Sequence, residues 1–249
     1  MPRHAVEGLK LRKLPPTLEP LRRFSTEARL EQRSNMHAIL RQFLLAGLSI
    51  GLCATAATAQ PFEGILEFTK TTGPVVTSYK YYVKGDRVRI EEISARGEVQ
   101  GIMLVDTRDK TVTAISPERK LYMDVPNMRL PKDVETTVQK TSDMKEMAGY
   151  KCEKWIVKSG PEDRVLTYWV AADEFNFFVP LLETLNRKDE QAVFFLEIKD
   201  NKGVFPLLGI EQKTDGAEVS RLEVKKVTKE AQKPAMFEIP AGFNKFERN

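Results

Sequence analysis

The chain has 249 residues, with 39 Lys and Arg against 35 Asp and Glu, and two histidines, His4 and His37. That length allows one or two domains. Both histidines precede residue 60, so a body that starts later can hold no Ser-His-Asp triad, no Cys–His nucleophile pair and no His-ligated zinc.

Residues 1–35 carry eight basic and four acidic residues, with Pro15, Pro16 and Pro20, and no sustained apolar period. They are expected to be a disordered extension upstream of a true start at Met36, or the front of an unusually long export leader. Residues 36–59 have the three parts of a secretory signal peptide. Met36 and Arg41 open it, an apolar run covers 43–57, and Ala57-Thr58-Ala59 forms a small-x-small cleavage site. The run is shorter than the about 20 apolar residues of a membrane span and includes Ser49 and Thr55. Cys53 follows Leu52, which is too large for the position before a lipidated cysteine. The expectation is cleavage between Ala59 and Gln60, no transmembrane span afterwards, and a periplasmic or secreted body over 60–249 as a single β-rich domain.

Without residues 1–59 the balance is 30 basic against 31 acidic residues. No basic field remains to attract nucleic acid. One cysteine, Cys152, is left, so no internal disulfide can form. It reads as a small core residue beside Trp155 and Ile156, or else as an intermolecular thiol.

The body then alternates with period two. Phe62, Gly64, Leu66 and Phe68 oppose Glu63, Ile65 and Glu67. Tyr79, Tyr81 and Val83 lead through Gly85-Asp86 to Val88 and Ile90, a hairpin pattern in which Arg87, Arg89 and Glu91 take the solvent side. Strands at 102–105, 111–115 and 120–125 complete a six-strand antiparallel meander. Residues 126–148 read as a loop followed by an irregular polar strand. Two strands, 150–158 and 165–171, flank a turn at Gly160-Pro161-Glu162-Asp163. Pro180 marks the first turn of a helix through Leu185. The stretch 189–199 fits a helix, and 193–198 fits a strand. Strands at 204–212 and 219–227 follow, and a short tail ends at Phe237–Phe243.

Several segments resemble one family when taken in order. They are Tyr81-Tyr82-x-Lys84-Gly85-Asp86-x-x-Arg89, Gly101-Ile102-x-x-Val105-Asp106, Ala148-Gly149-Tyr150-Lys151-Cys152-x-Lys154-Trp155, Lys202-Gly203-x-x-Pro206-Leu207 and Phe237-x-Ile239-Pro240-Ala241-Gly242-Phe243. Across 62–246 this is similar to the bacterial secreted family known as domain of unknown function 4412. That family more distantly resembles the periplasmic lipoprotein-carrier (LolA/LolB-like) half-barrel, in which a curved antiparallel sheet closed by helices holds acyl chains. The carriers' opening-and-closing arginine has no placed counterpart here, so lipoprotein transport is not implied.

The fold expected is mainly β (α+β), a curved antiparallel sheet or half-barrel with a helical cover on one face. Phe62, Leu66, Phe68, Tyr79, Tyr81, Val88 and Ile90 should share one sheet face. They line a ligand cavity if the helix only lids the sheet, and they are plain core if it packs flat. Met144-x-x-Met147 reads as gap-filling rather than a copper(I) site, and neither metal nor cofactor is expected. The leading function is a non-enzymatic binding protein for a lipid or other hydrophobic small molecule. The alternatives are an interaction module with a filled core and a protein partner, and a carboxylate-based hydrolase.

Overall fold

The computed structural model describes residues 61–126, 134–172, 174–186 and 189–247. The expected signal and extension, and most of the expected loop after Pro126, lie outside the described residues. The meander forms as the alternation predicts: β1 Glu63–Thr72, β2 Val75–Lys84, β3 Arg87–Ile93, β4 Val99–Asp106, β5 Thr111–Ser116 and β6 Leu121–Asp124. The second half adds β7 Thr137–Met147, β8 Tyr150–Ser159, β9 Arg164–Ala171, β10 Phe205–Gln212 and β11 Glu218–Lys229, and the short β12 Asn244–Lys245 ends the chain's regular structure. Together they make one sheet in the order β12-β6-β5-β4-β3-β2-β1-β11-β10-β9-β8-β7. Every pairing is antiparallel except that of β12 with β6.

Register fixes which side chains share a face. Leu66 pairs Tyr81, Tyr81 pairs Ile90 and Ile90 pairs Met103, so these four form one row across four strands. A neighbouring row holds Gly64, Val83, Val88, Val105 and Val112. Both rows point inward, and Leu66, Val83 and Val88 are fully buried. The expected polar strand is β7, a mostly exposed edge strand whose register breaks between Lys140 and Met144. A break of this kind, with lysines, blunts an edge against further pairing.

Two short helices cover the inner face. α1, Phe178–Leu185, starts two residues before Pro180, which sits in its first turn as expected. α2, Glu190–Leu196, settles the ambiguity at 189–199 in favour of helix. Asp189 caps it by accepting the Ala192 N–H. Five consecutive positions of α2, Gln191 to Phe195, are buried, which is why the segment has no 3.6 period to read. α1 lies against β4 and β5, and α2 lies against β10. A flat sheet would separate β5 from β10 by six strand spacings, about 29 Å. Two adjoining helices span only about 20 Å. The sheet reaches both because it is curved, and it stays unclosed.

The tail corrects the reading of the outer face. After β11, residues 230–247 cross outside the sheet. The Glu230 N–H donates to the Glu63 carbonyl, and the Gln232 N–H donates to the Glu63 carboxylate at 2.7 Å. Lys84 Nζ donates to the Gln232 carbonyl, and Arg89 Nη1 donates to that of Met236. A 3₁₀ turn, Pro234–Phe237, follows before β12 joins β6. Glu91, assigned to solvent by period two, is therefore 6% exposed and pairs with Arg89 at 2.6 Å. Burial, and then the Glu91 charge, push the neighbouring Tyr82 hydroxyl up to about 12.

Candidate functional site

The inner face gathers aromatic residues from both halves of the chain. Phe68 stacks on Tyr79 at 5.3 Å and meets Tyr81 edge-on at 4.7 Å. Phe205 on β10 contacts Phe175, Phe177 and Phe178, with the Phe178 ring centroid 4.5 Å away. Between these two groups, where the cover meets the sheet, lies a crevice of about 60 Å³. Its walls are Phe68, Tyr79 and Tyr81 on the meander, Tyr168, Phe205, Pro206 and Leu222 on the other half, and Phe178, Leu182 and Leu185 on α1. Lys70, Asp189, Gln191 and Ala192 complete it. A cavity of this size admits a few waters and is too small for an acyl chain.

The polar groups at the crevice are organised by one row of the sheet. Trp155, Tyr168, Gly209, Leu222 and Lys70 are successive register partners, and α2 crosses above them. A Cβ on Gly209 would stand 2.4 Å from Gln191 Oε1, so glycine here lets the helix approach. Tyr168 OH donates to the Gln191 carbonyl at 2.8 Å. Its burial holds the phenol pKa well above 10.0. Gln191 Nε2 donates to Ser220 Oγ at 2.8 Å, Ser220 donates to Glu211 at 2.7 Å, and Arg164 Nε donates to Glu211 at 3.0 Å. This chain satisfies the buried Glu211 and pins α2 to the sheet. At the crevice edge, Lys70 Nζ lies 3.4 Å from Asp189 Oδ1, both side chains being roughly one-quarter to one-third exposed.

Other expected sites are placed as follows. Cys152 is fully buried in the core, its Sγ near the Tyr150 carbonyl at 3.6 Å, and burial pushes the thiol up to about 11. Met144 and Met147 occupy opposite faces of β7, three residues apart in regular register. Among the described residues no group of three or more His, Cys, Asp or Glu is placed to hold a metal ion. Paired-carboxylate hydrolysis needs one carboxyl with a raised pKa. Among the described residues the carboxylates with a displaced pKa, Glu63, Asp124 and Asp163, are held downward by hydrogen-bonding partners. No described helix is long and apolar enough to cross a membrane.

The model of the family described as a domain of unknown function (DUF4412) matches residues 62–243. The chain belongs to that family. No functionally curated protein matches the sequence. Among solved structures, an uncharacterized conserved protein from Thermus thermophilus is 10% identical with a TM-score of 0.45, covering 77% of this chain and 92% of its own. A chain of the Pseudomonas aeruginosa MucA/MucB complex is 10% identical with a TM-score of 0.42, and this chain spans 55% of its length. A putative outer membrane lipoprotein-sorting protein domain from Vibrio parahaemolyticus is 9% identical with a TM-score of 0.31, covering 70% of this chain and 88% of its own.

In this DUF4412 chain the seven expected face residues divide. Phe68, Tyr79 and Tyr81 line the crevice, whereas Phe62, Leu66, Val88 and Ile90 are packed in the core away from it. The reading missed Lys70, Tyr168, Leu182, Leu185, Asp189 and Phe205. Lys70 was visible in principle, since it continues the inward set Leu66, Phe68 by two residues and breaks it with a charge. The others come from β9, β10 and the helical cover, whose position relative to β1 and β2 no local pattern encodes.

Proposed function

We propose that the protein is an exported, non-enzymatic binding protein that takes an apolar or amphipathic ligand between the helical cover and the inner face of the sheet. The observation that carries this reading is the crevice at the seam of the cover, with apolar and aromatic walls drawn from both halves of the sheet. Concave, mainly apolar sites with a few placed polar groups are the usual form of small-molecule pockets. An acyl chain does not fit in 60 Å³, so binding must displace α1 outward. α1 carries Leu182 and Leu185 on the crevice side and is held mainly by side-chain packing, which allows such movement at the cost of exposing apolar area. Each methylene that replaces that contact returns about 0.8 kcal/mol.

One observation favours the interaction-module reading. Six of the seven expected residues, all but Tyr79, are buried with at most 9% exposure, so most of the inner face is already filled. Ligand uptake decides between the two readings. Protein purified from a bacterial envelope fraction and examined by native mass spectrometry should carry a co-purifying lipid-sized mass. Delipidated protein should take up a fluorescent fatty-acid analogue saturably, and Leu182→Arg should abolish uptake while the variant stays folded. Absence of both signals leaves the filled-core module. Amino-terminal sequencing of the exported protein should begin at Gln60; an intact residue 1 in the envelope fraction removes the export part of the proposal.

A further inference from the structure

The crevice is apolar except along one side, where Lys70 of β1 meets Asp189 at the start of α2. These two are the charged residues of the lining. At 3.4 Å the pair bridges the sheet to the start of α2 at the crevice edge, so a polar head that enters as α1 moves outward competes with Asp189 for Lys70. The consequences for the two partners differ. Asp189 still accepts the Ala192 N–H at 3.2 Å, because that bond lies within its own helix cap. Lys70 has Asp189 as its ion-pair partner among the described residues, and its register neighbours, Leu222 and Thr77, carry no charge. A head that displaces Asp189 without replacing its charge leaves Lys70 part-buried and unpaired beside apolar walls, while the carboxylate keeps a donor. A ligand with a negative head repairs that loss, and a neutral one does not.

We propose that the ligand is a single-chain amphiphile with an anionic carboxylate or phosphate head, and that Lys70 receives that head while the chain lies against Phe68, Tyr79 and Leu182. This rests on the crevice reading above and adds the chemical class of the ligand. Asp189 then acts as a competitor for Lys70, which sets the ligand-free state closed. The competition gives an unusual signature: loss of one member of the ion pair weakens binding and loss of the other strengthens it.

The test compares oleate, oleoyl-lysophosphatidate and monoolein, each below its aggregation concentration, with inorganic phosphate as a head-only control. Binding is read by displacement of a fluorescent neutral probe from wild type, Lys70→Met, Lys70→Arg and Asp189→Asn. Asparagine retains the capping oxygen, so α2 is preserved. The expected result is that Lys70→Met weakens both anionic ligands by about tenfold, as for one lost charged hydrogen bond, and does not weaken monoolein. Lys70→Arg restores anion preference, Asp189→Asn tightens the anions, and inorganic phosphate does not compete. Oleate and lysophosphatidate separate the carboxylate source from the phosphate source. If wild type binds none of the three lipids, the crevice reading itself fails. If it binds all three and Lys70→Met changes none of them, or weakens all equally, the crevice stands and the role of Lys70 is overturned. Weaker anion binding by Asp189→Asn also overturns it.

Discussion

The two faces of this sheet are covered by different means. On the inner face α2 is pinned by the Gln191 hydrogen bonds, whereas α1 is seated by apolar contact, with Phe205 touching three phenylalanines. The outer face is closed by residues 230–247 through a few directed bonds, notably Gln232 with Glu63 and Lys84, and Met236 with Arg89. Apolar contact is non-directional and tolerates sliding, so α1 can shift over its seat. Charged hydrogen bonds need fixed geometry, so the outer cover is a tether with one register. A protein whose inner face takes a ligand would gain from this division, with α1 movable and the outer cover fixed.

The largest effect should come from removing the hub of the inner cover. Phe205→Ala deletes a fully buried ring and should cost about 3–5 kcal/mol in urea unfolding. A cost below about 1 kcal/mol would mean the helices are not held by this cluster. Next, Glu91→Ala leaves Arg89 without its carboxylate on the outer face. Both side chains are nearly buried, 12% and 8% exposed, so a loss of about 3 kcal/mol is expected, together with faster proteolysis within 230–247. Equal proteolysis of variant and parent would show that the tail is held elsewhere.

Gly209→Ala should cost about 1–2 kcal/mol, because the new methyl group pushes Gln191 from Ser220. Gly209→Ala combined with Gln191→Ala should recover part of that loss, since the obstructing amide is then gone. The smallest effect is one of pH. The Glu63 carboxyl is held below its ordinary 4.5, first by the Lys84 hydrogen bond and then by the Gln232 N–H. A depressed carboxylate stabilises the fold above the unfolded value, and the contribution fades as pH falls through the lower folded value. Hydrogen exchange at the Gln232 amide, corrected for its intrinsic rate, should therefore accelerate as pH drops below 4.5. Glu63→Gln should flatten that dependence. The Leu181 amide, bonded to the Phe177 carbonyl, provides an inner-cover control.

Much of the sheet was legible because a strand with one buried face must alternate. Leu66, Tyr81 and Ile90 could be placed on one face from period two, and the Gly85-Asp86 turn sets Tyr81 opposite Ile90. The same rule misassigned Glu91, because alternation says which side a residue takes and not what covers that side. The crevice was legible only in its β1–β2 wall, for a related reason: Phe178, Leu182 and Phe205 look like ordinary core positions until α1 is seated opposite Phe68.

The amino-acid sequence by itself determined the strand alternation, the hairpin turns, the proline-led helix, the family and the lack of histidine after residue 37. These depend on neighbours within a few residues, and local sterics and periodicity suffice to specify them. The tertiary structure alone decided that α2 is a helix, that the tail returns to pair in parallel with β6, and that Lys70 meets Asp189 across 119 positions of chain. Those features arise from burial and pairing between distant segments, whose energies depend on where the curved sheet brings them together.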